Sequence, residues 1–139
     1  MTINDQLPPL QPLQGLRLLL VEESALIALD LQEALMAAGA HTIGLANTDV
    51  AALKLIETTA FDAAVIDVSG VPPDLQVAET LIQANIPFVF ATGALLTARP
   101  RSMQSVPLVA KPYSTLELIA ALSLVSRRQE LRLQPPFCD

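Results

Sequence analysis

Apolar residues run through this chain in two rhythms. Five short, nearly continuous apolar runs alternate with longer segments in which apolar residues recur every three or four positions. The runs are Leu16 to Glu22 (LRLLLVE), His41 to Ala46 (HTIGLA), Phe61 to Asp67 (FDAAVID), Ile86 to Ala91 (IPFVFA) and Val106 to Ala110 (VPLVA). Runs of this length predict strands, and a continuous apolar run such as the first predicts a strand buried on both faces. The segments between them predict helices. Ser24 stands as N-cap of ALIALDLQEALMAA, in which Leu26, Leu29, Leu35 and Met36 form the expected inward stripe and Gly39 the stop. Thr48 caps a helix over Asp49 to Thr59, with Ala52, Leu55 and Ile56 inward. Asp74 caps a third helix on the stripe Leu75, Ala78, Leu81 and Ile82, and Ser114 caps a last one to about Arg128. The stretch TGALLTARPRSMQS, Thr92 to Ser105, has poor periodicity and contains Pro100, so any helix there is expected to be short.

Strand followed by helix, five times over, implies an α/β fold: a parallel sheet with helices on both faces. In such sheets the working site lies beyond the carboxyl ends of the strands. Those ends carry Glu22 and Glu23, Asp67, Thr92, and Lys111 followed by Pro112. Singly each has an ordinary explanation: acids at a helix start, an Asp in a turn, a surface lysine. Together they deliver three carboxylates, a hydroxyl and an ammonium to one sheet edge. Clustered carboxylates repel unless a cation joins them. A hard cation such as Mg²⁺ meets that need and keeps positions for water and phosphate oxygens. Asp67 is then placed to act as a nucleophile toward phosphorus, with Thr92 and Lys111 facing anionic oxygens.

Composition narrows the field. The 139 residues suit one domain, and 52% apolar against 16% charged residues implies a packed core. A net charge of −6 argues against a nucleic-acid surface; the basic cluster Arg127, Arg128 and Arg132 reads as a solvated helix face. No apolar run reaches the roughly 18–20 residues of a membrane span, so no membrane partner is expected. The Pro-rich, polar start is not a signal peptide and reads as a mobile leader. A lone Cys138 cannot close an internal disulfide, which fits a reducing cytoplasm, and His41 is the only histidine.

The motifs LLLVEES, AVIDVSG, FVFATG and VAKPY, in that order, resemble the receiver domains of two-component response regulators, the CheY-like group. PFVFATG with VEESALIALDL is similar to the FAT-GUY subgroup of single-domain receivers. The resemblance covers about Leu16 to Arg128. It implies a flavodoxin-like (βα)5 fold with strand order 2-1-3-4-5 in a three-layer αβα sandwich. Residues 1–14 would be a flexible leader, 15–130 the receiver domain and 131–139 a short tail with no output domain after it. By the same resemblance Asp67 is the phospho-acceptor and Thr92 the switch hydroxyl, while Lys111 pairs with a phosphoryl oxygen. Glu22, Glu23, Asp67 and the backbone carbonyl of Ser69 hold Mg²⁺ or Mn²⁺, and the Lys111–Pro112 bond is cis. The implied partners are a sensor histidine kinase, of the HWE type in that subgroup, or a histidine phosphotransfer protein, with a downstream protein partner. Such a domain is a phosphoprotein rather than an enzyme, catalysing at most its own phosphorylation and dephosphorylation in the cytoplasm.

Two positions depart from the pattern. Glu23 stands where the acid pair normally ends in Asp, and Leu108 stands where an aromatic normally rotates. The loop VSGVPPD after the acceptor carries two prolines. Glu23 and Leu108 support an alternative, a degenerate receiver that binds protein with weak metal affinity and little switching. A phosphatase of the haloacid-dehalogenase type would need a second Asp two residues after the nucleophile, and that residue is Ser69. A flavodoxin-like cofactor binder would need a phosphate-cradling loop after the first strand, and none is present.

Overall fold

In the computed structural model, residues 11–68, 73–93 and 99–133 are described, without the side chains of 42 and 128–133. The elements in chain order are β1 Arg17–Val21, α1 Ala25–Ala37, β2 Thr42–Ala46, α2 Asp49–Thr58 and β3 Ala63–Ile66. They continue with α3 Gln76–Gln83, β4 Phe88–Thr92, a 3₁₀ turn Arg101–Met103, β5 Leu108–Ala110 and α4 Thr115–Leu133. The strands form one sheet in the order β2-β1-β3-β4-β5, every neighbouring pair parallel. This is the flavodoxin-like order expected.

Side chains alternate across each strand, so one apolar run feeds two cores. Leu18, Leu20, Val65, Val89 and Val109 face α1 and α4, whose Leu31, Leu35, Leu118 and Leu122 close that side. Leu19, Val21, Ile66, Phe88 and Phe90 face α2 and α3, with Ala52, Ala78 and Leu81. All four residues of β3 are buried, which is why its run needs no polar position.

The helix starts follow the sequence signals. Ser24, Thr48 and Ser114 accept hydrogen bonds from the N–H groups of Ile27, Ala51 and Glu117. The Asp74 carboxylate accepts from Gln76 N–H at 3.0 Å, although Leu75 is the residue at the cap of α3. Gly39 follows α1 at φ +110, and a Cβ there would lie 2.9 Å from Gln14 Cα, so this position requires glycine twice over.

Three expectations are corrected. The inward stripe of α1 is Ala28, Leu31 and Leu35, not the set built on Leu26, Leu29 and Met36, which are 74%, 57% and 47% exposed. The helix is apolar on both sides, so spacing alone cannot choose between faces. The leader does not run to residue 14, because Leu13 is fully buried and donates its N–H to the Ala38 carbonyl. The last helix extends to Leu133, past the expected end near Arg128 and into the expected tail. The weak stretch before β5 contains only the 3₁₀ turn among its described residues, anchored by the buried Met103.

Candidate functional site

Register brings the candidate residues together. Val21 pairs with both Ala46 and Ile66, so the residues that follow leave the sheet side by side. Glu22 N–H donates to the Ala46 carbonyl and Asp67 N–H to the Val21 carbonyl, each at 3.0 Å. Ile66 pairs with Phe90, which sets Thr92 beyond Asp67, opposite Val68. The Thr92 hydroxyl, 1% exposed, donates to the Val68 carbonyl at 3.2 Å. Lys111 leaves β5 with its N–H donating to the Thr92 carbonyl, and its peptide bond to Pro112 is cis.

The Lys111 side chain crosses over β4. Its ammonium donates to Glu22 Oε1 and to Asp67 Oδ2, both at 2.9 Å. Its length lets it reach from the end of β5 to the acid after β3, two strands away, and to the acid after β1, three strands away. Burial pulls the Lys111 pKa down, but its hydrogen bonds to Asp67 and Glu22 and their charges outweigh this and hold it above the ordinary lysine value. Glu22 is almost fully buried, and its second oxygen accepts the Ser24 N–H at 3.0 Å. Both of its oxygens therefore have donors, at the start of α1 where a negative charge is favoured.

Glu23 points the other way. It is exposed and, with Asp67, lines a hollow of about 300 Å³ whose far wall is Asn47, Thr48 and Asp49. Burial and then the neighbouring Asp74 raise the pKa of Asp49. Asn47 to Asp49 were not expected at the site, Thr48 and Asp49 being read only as a helix start, yet they follow the end of β2 and fall under the same strand-end rule as the other site residues.

Among the described residues no three acidic, histidine or cysteine side chains converge closely enough to hold an ion by themselves. Mg²⁺ usually takes only one or two carboxylates from a protein and keeps several waters. Glu23 and Asp67 on one open hollow, with one lysine set against three acids, fit that demand. The Ser69 carbonyl and the loop through Pro72 lie outside the described residues.

Behind Lys111, Tyr113 is half-buried, and among the described residues its hydroxyl has no hydrogen-bond partner. Burial raises its pKa; Lys111 opposes this, and Glu22 and Asp67 add to it. Leu108, at the position of the expected rotating aromatic, is 36% exposed on β5. An aliphatic there has no polar tip with which to follow Thr92.

No family model matches the chain. It is 30% identical over 121 residues to the transcriptional regulatory protein PdtaR of Mycobacterium tuberculosis (strain H37Rv), an alignment covering 83% of this chain and 59% of that protein. The chain thus spans about three fifths of the length of the curated relatives it matches. Among solved structures it is similar to a response regulator receiver protein from Sinorhizobium medicae WSM419, with 26% identity and a TM-score of 0.71 over 84% of this chain and 98% of that one. It is also similar to the N-terminal domain of a response regulator/sensory box/GGDEF protein from Carboxydothermus hydrogenoformans, with 25% identity and a TM-score of 0.71 over 85% and 99%. The response regulator PhyR from Brucella abortus matches with 26% identity and a TM-score of 0.71, over 88% of this chain and 53% of that one.

Proposed function

The chain is a response-regulator receiver domain, and from that premise we propose that it accepts a phosphoryl group on Asp67 from a phosphohistidine donor. The observation that carries this reading is the Lys111 ammonium held 2.9 Å from Asp67 at the sheet edge. In the transfer, an Asp67 carboxylate oxygen forms the new O–P bond. The donor's N–P bond breaks, and its electron pair returns to the histidine nitrogen.

The chain's own groups prepare this step. Lys111 holds one oxygen of Asp67 and is itself held by Glu22, so its charge stands ready for a phosphoryl oxygen without reorganisation. Glu22 acts on Lys111 rather than toward the hollow. Thr92, at the next strand end, exchanges the Val68 carbonyl for a phosphoryl oxygen, which ties the loops after β3 and β4 to the state of Asp67. Glu23 and Asp67, with the Ser69 carbonyl, are the residues that would hold Mg²⁺ or Mn²⁺. The metal supplies positive charge for the phosphoryl oxygens.

The donor in this reading is a sensor histidine kinase, of the HWE type in the subgroup the sequence resembles, or a histidine phosphotransfer protein. PhyR and PdtaR, to which the chain is similar, are named as regulators, which supports a role in signalling, and the downstream target in this reading is a protein. The chain works in the cytoplasm, where ATP charges the donor, and catalyses no reaction beyond its own phosphorylation and dephosphorylation. A second reading, a protein-binding receiver that switches little, is favoured by Leu108 and Glu23. Incubation with acetyl phosphate and Mg²⁺, followed by intact mass, separates the two. The acceptor reading expects one added phosphoryl group on the wild type and none on Asp67→Asn. No labelling of the wild type, or equal labelling of the variant, would overturn it.

A further inference from the structure

Among its described residues the segment before β5 has only a 3₁₀ turn, and an arginine clasps it from outside. Arg99 is half-buried, and its Nη1 donates to the Val106 carbonyl at 2.9 Å. The guanidinium carbon stands 6.0 Å from the centre of the Phe90 ring, at the outer reach of a cation–π contact. No acid pairs with Arg99 among the described residues. Inside this clasp the chain bonds to itself: Met103 N–H donates to the Pro100 carbonyl, and Val106 N–H to the Met103 carbonyl. Met103 is fully buried in the same apolar cluster as Phe90 and Val68. Val68 supplies the carbonyl that accepts the Thr92 hydroxyl, and Thr92 lies two residues after Phe90, on the same face of β4. One packed cluster therefore lies between Thr92 and Arg99.

We propose that Arg99 is a positioning residue whose clasp on the Val106 carbonyl and the Phe90 ring is tight while Thr92 is bonded to Val68 and loosens when Thr92 leaves. The partners of Arg99 suit this role. A carboxylate would lock the guanidinium in a bidentate ion pair. One neutral carbonyl and a ring face hold it less firmly, so a small repacking beneath them is enough to release it. That repacking has a source. Val68 is held by Thr92 through its carbonyl and by the cluster through its side chain, so loss of the first hold disturbs the second. Leu108 has no ring to rotate, and Arg99 offers the path that this aliphatic residue lacks. The inference rests on the acceptor reading, in which a phosphoryl group draws Thr92 off Val68. Its test uses Thr92→Val with no phosphodonor, so either can fail alone.

The readout is amide hydrogen exchange in the full chain at Met103 and Val106, the two N–H donors inside the clasp. Each rate is taken as a ratio to that of Ala64, whose N–H bonds the Pro87 carbonyl at the amino end of the sheet, so that a loss of global stability cancels. Arg99→Gln should raise both ratios about tenfold by opening the clasp outright. Thr92→Val should raise them about threefold or more, and Thr92→Ser, which keeps the donor, should leave them near the wild type. In Thr92→Val/Arg99→Gln the ratios should match those of Arg99→Gln alone, because the clasp on which Thr92 acts is already open. A purely structural arginine would give the opposite result, with the two effects multiplying as they do for independent sites. The proposal is overturned by that multiplication, by unchanged ratios in Thr92→Val, or by unchanged ratios in Arg99→Gln.

Discussion

An ion pair joins β1 to the β3 segment at both ends of the sheet, and the two are built differently. At the amino end, Arg17 and Asp62 meet at 3.1 Å, with side chains 48% and 34% exposed and a second bond from the Arg17 backbone N–H to the same carboxylate. One cation there serves one acid in water. At the carboxyl end, Lys111 serves both Glu22 and Asp67, with Glu22 only 4% exposed, while Glu23 and Asp49 border the adjoining hollow without sharing that lysine's bonds. The amino-end pair is complete and closes the sheet. The carboxyl-end cluster holds more negative charge than its lysine offsets, and it holds that charge in place. A fold gains no stability from such a surplus, so the difference sets the carboxyl end apart as the edge where the proposed chemistry is to be tested.

The largest expected break in this comparison is Lys111→Met. It leaves Glu22 buried with only the Ser24 N–H as donor, and should lower unfolding stability by about 2–3 kcal/mol, discounted for the partial exposure of the lysine. Urea denaturation reads this directly, and a loss below about 1 kcal/mol would mean that Glu22 is already satisfied without the lysine. The sign of the pH dependence follows from the raised Lys111 pKa. Its contribution is whole below the ordinary lysine value of 10.5 and is lost as pH rises through the higher folded value, so the wild type but not the variant should lose stability there.

Glu23→Asp sharpens the other half of the comparison. The longer acid must fold back or reach an ion through water, at a cost in rotamer freedom. Shortening it should raise Mg²⁺ affinity roughly tenfold, or about 1.4 kcal/mol, in a calorimetric titration. Equal or weaker binding by the variant would show that the hollow between Asp67 and Asp49 is shaped for the longer side chain.

Thr92→Val removes the donor to the Val68 carbonyl inside the buried edge. It should cost about 1 kcal/mol, with Thr92→Ser restoring most of the loss. If Val is as stable as Ser, that hydrogen bond does not hold the loop after β3. The smallest effect belongs to the amino end. Arg17 holds the Asp62 pKa below its ordinary 3.8, through a hydrogen bond first, with burial opposing. The stabilisation is therefore present above that value and fades as pH falls through the folded one. Asp62→Asn should scarcely move the melting temperature at pH 7 but should flatten the acid limb below pH 4. A large change at neutral pH would contradict the treatment of this pair as a solvated one.

Much of the molecule was readable in one dimension, and the reason is periodicity. Short continuous apolar runs bounded by turn residues predict strands covered on both faces, so β1, β3 and β4 were legible from hydropathy, while their order in the sheet came from the family resemblance. The strand ends then named Glu22, Glu23, Asp67, Thr92 and Lys111 as neighbours, because parallel strands in register finish at one edge. Ser24, Thr48 and Ser114 declared their helix starts because their side chains bond the backbone locally. What the tertiary structure alone decided depends on partners distant in the chain. Glu22 and Glu23 are chemically alike and adjacent, yet one is buried on Lys111 and the other faces the open hollow; that division needs the position of β5. The inward face of α1 depended on α4 and the sheet, since both of its sides are apolar. Leu13 joined the core only because the turn at Gly39 leaves room for the chain to pass beside it.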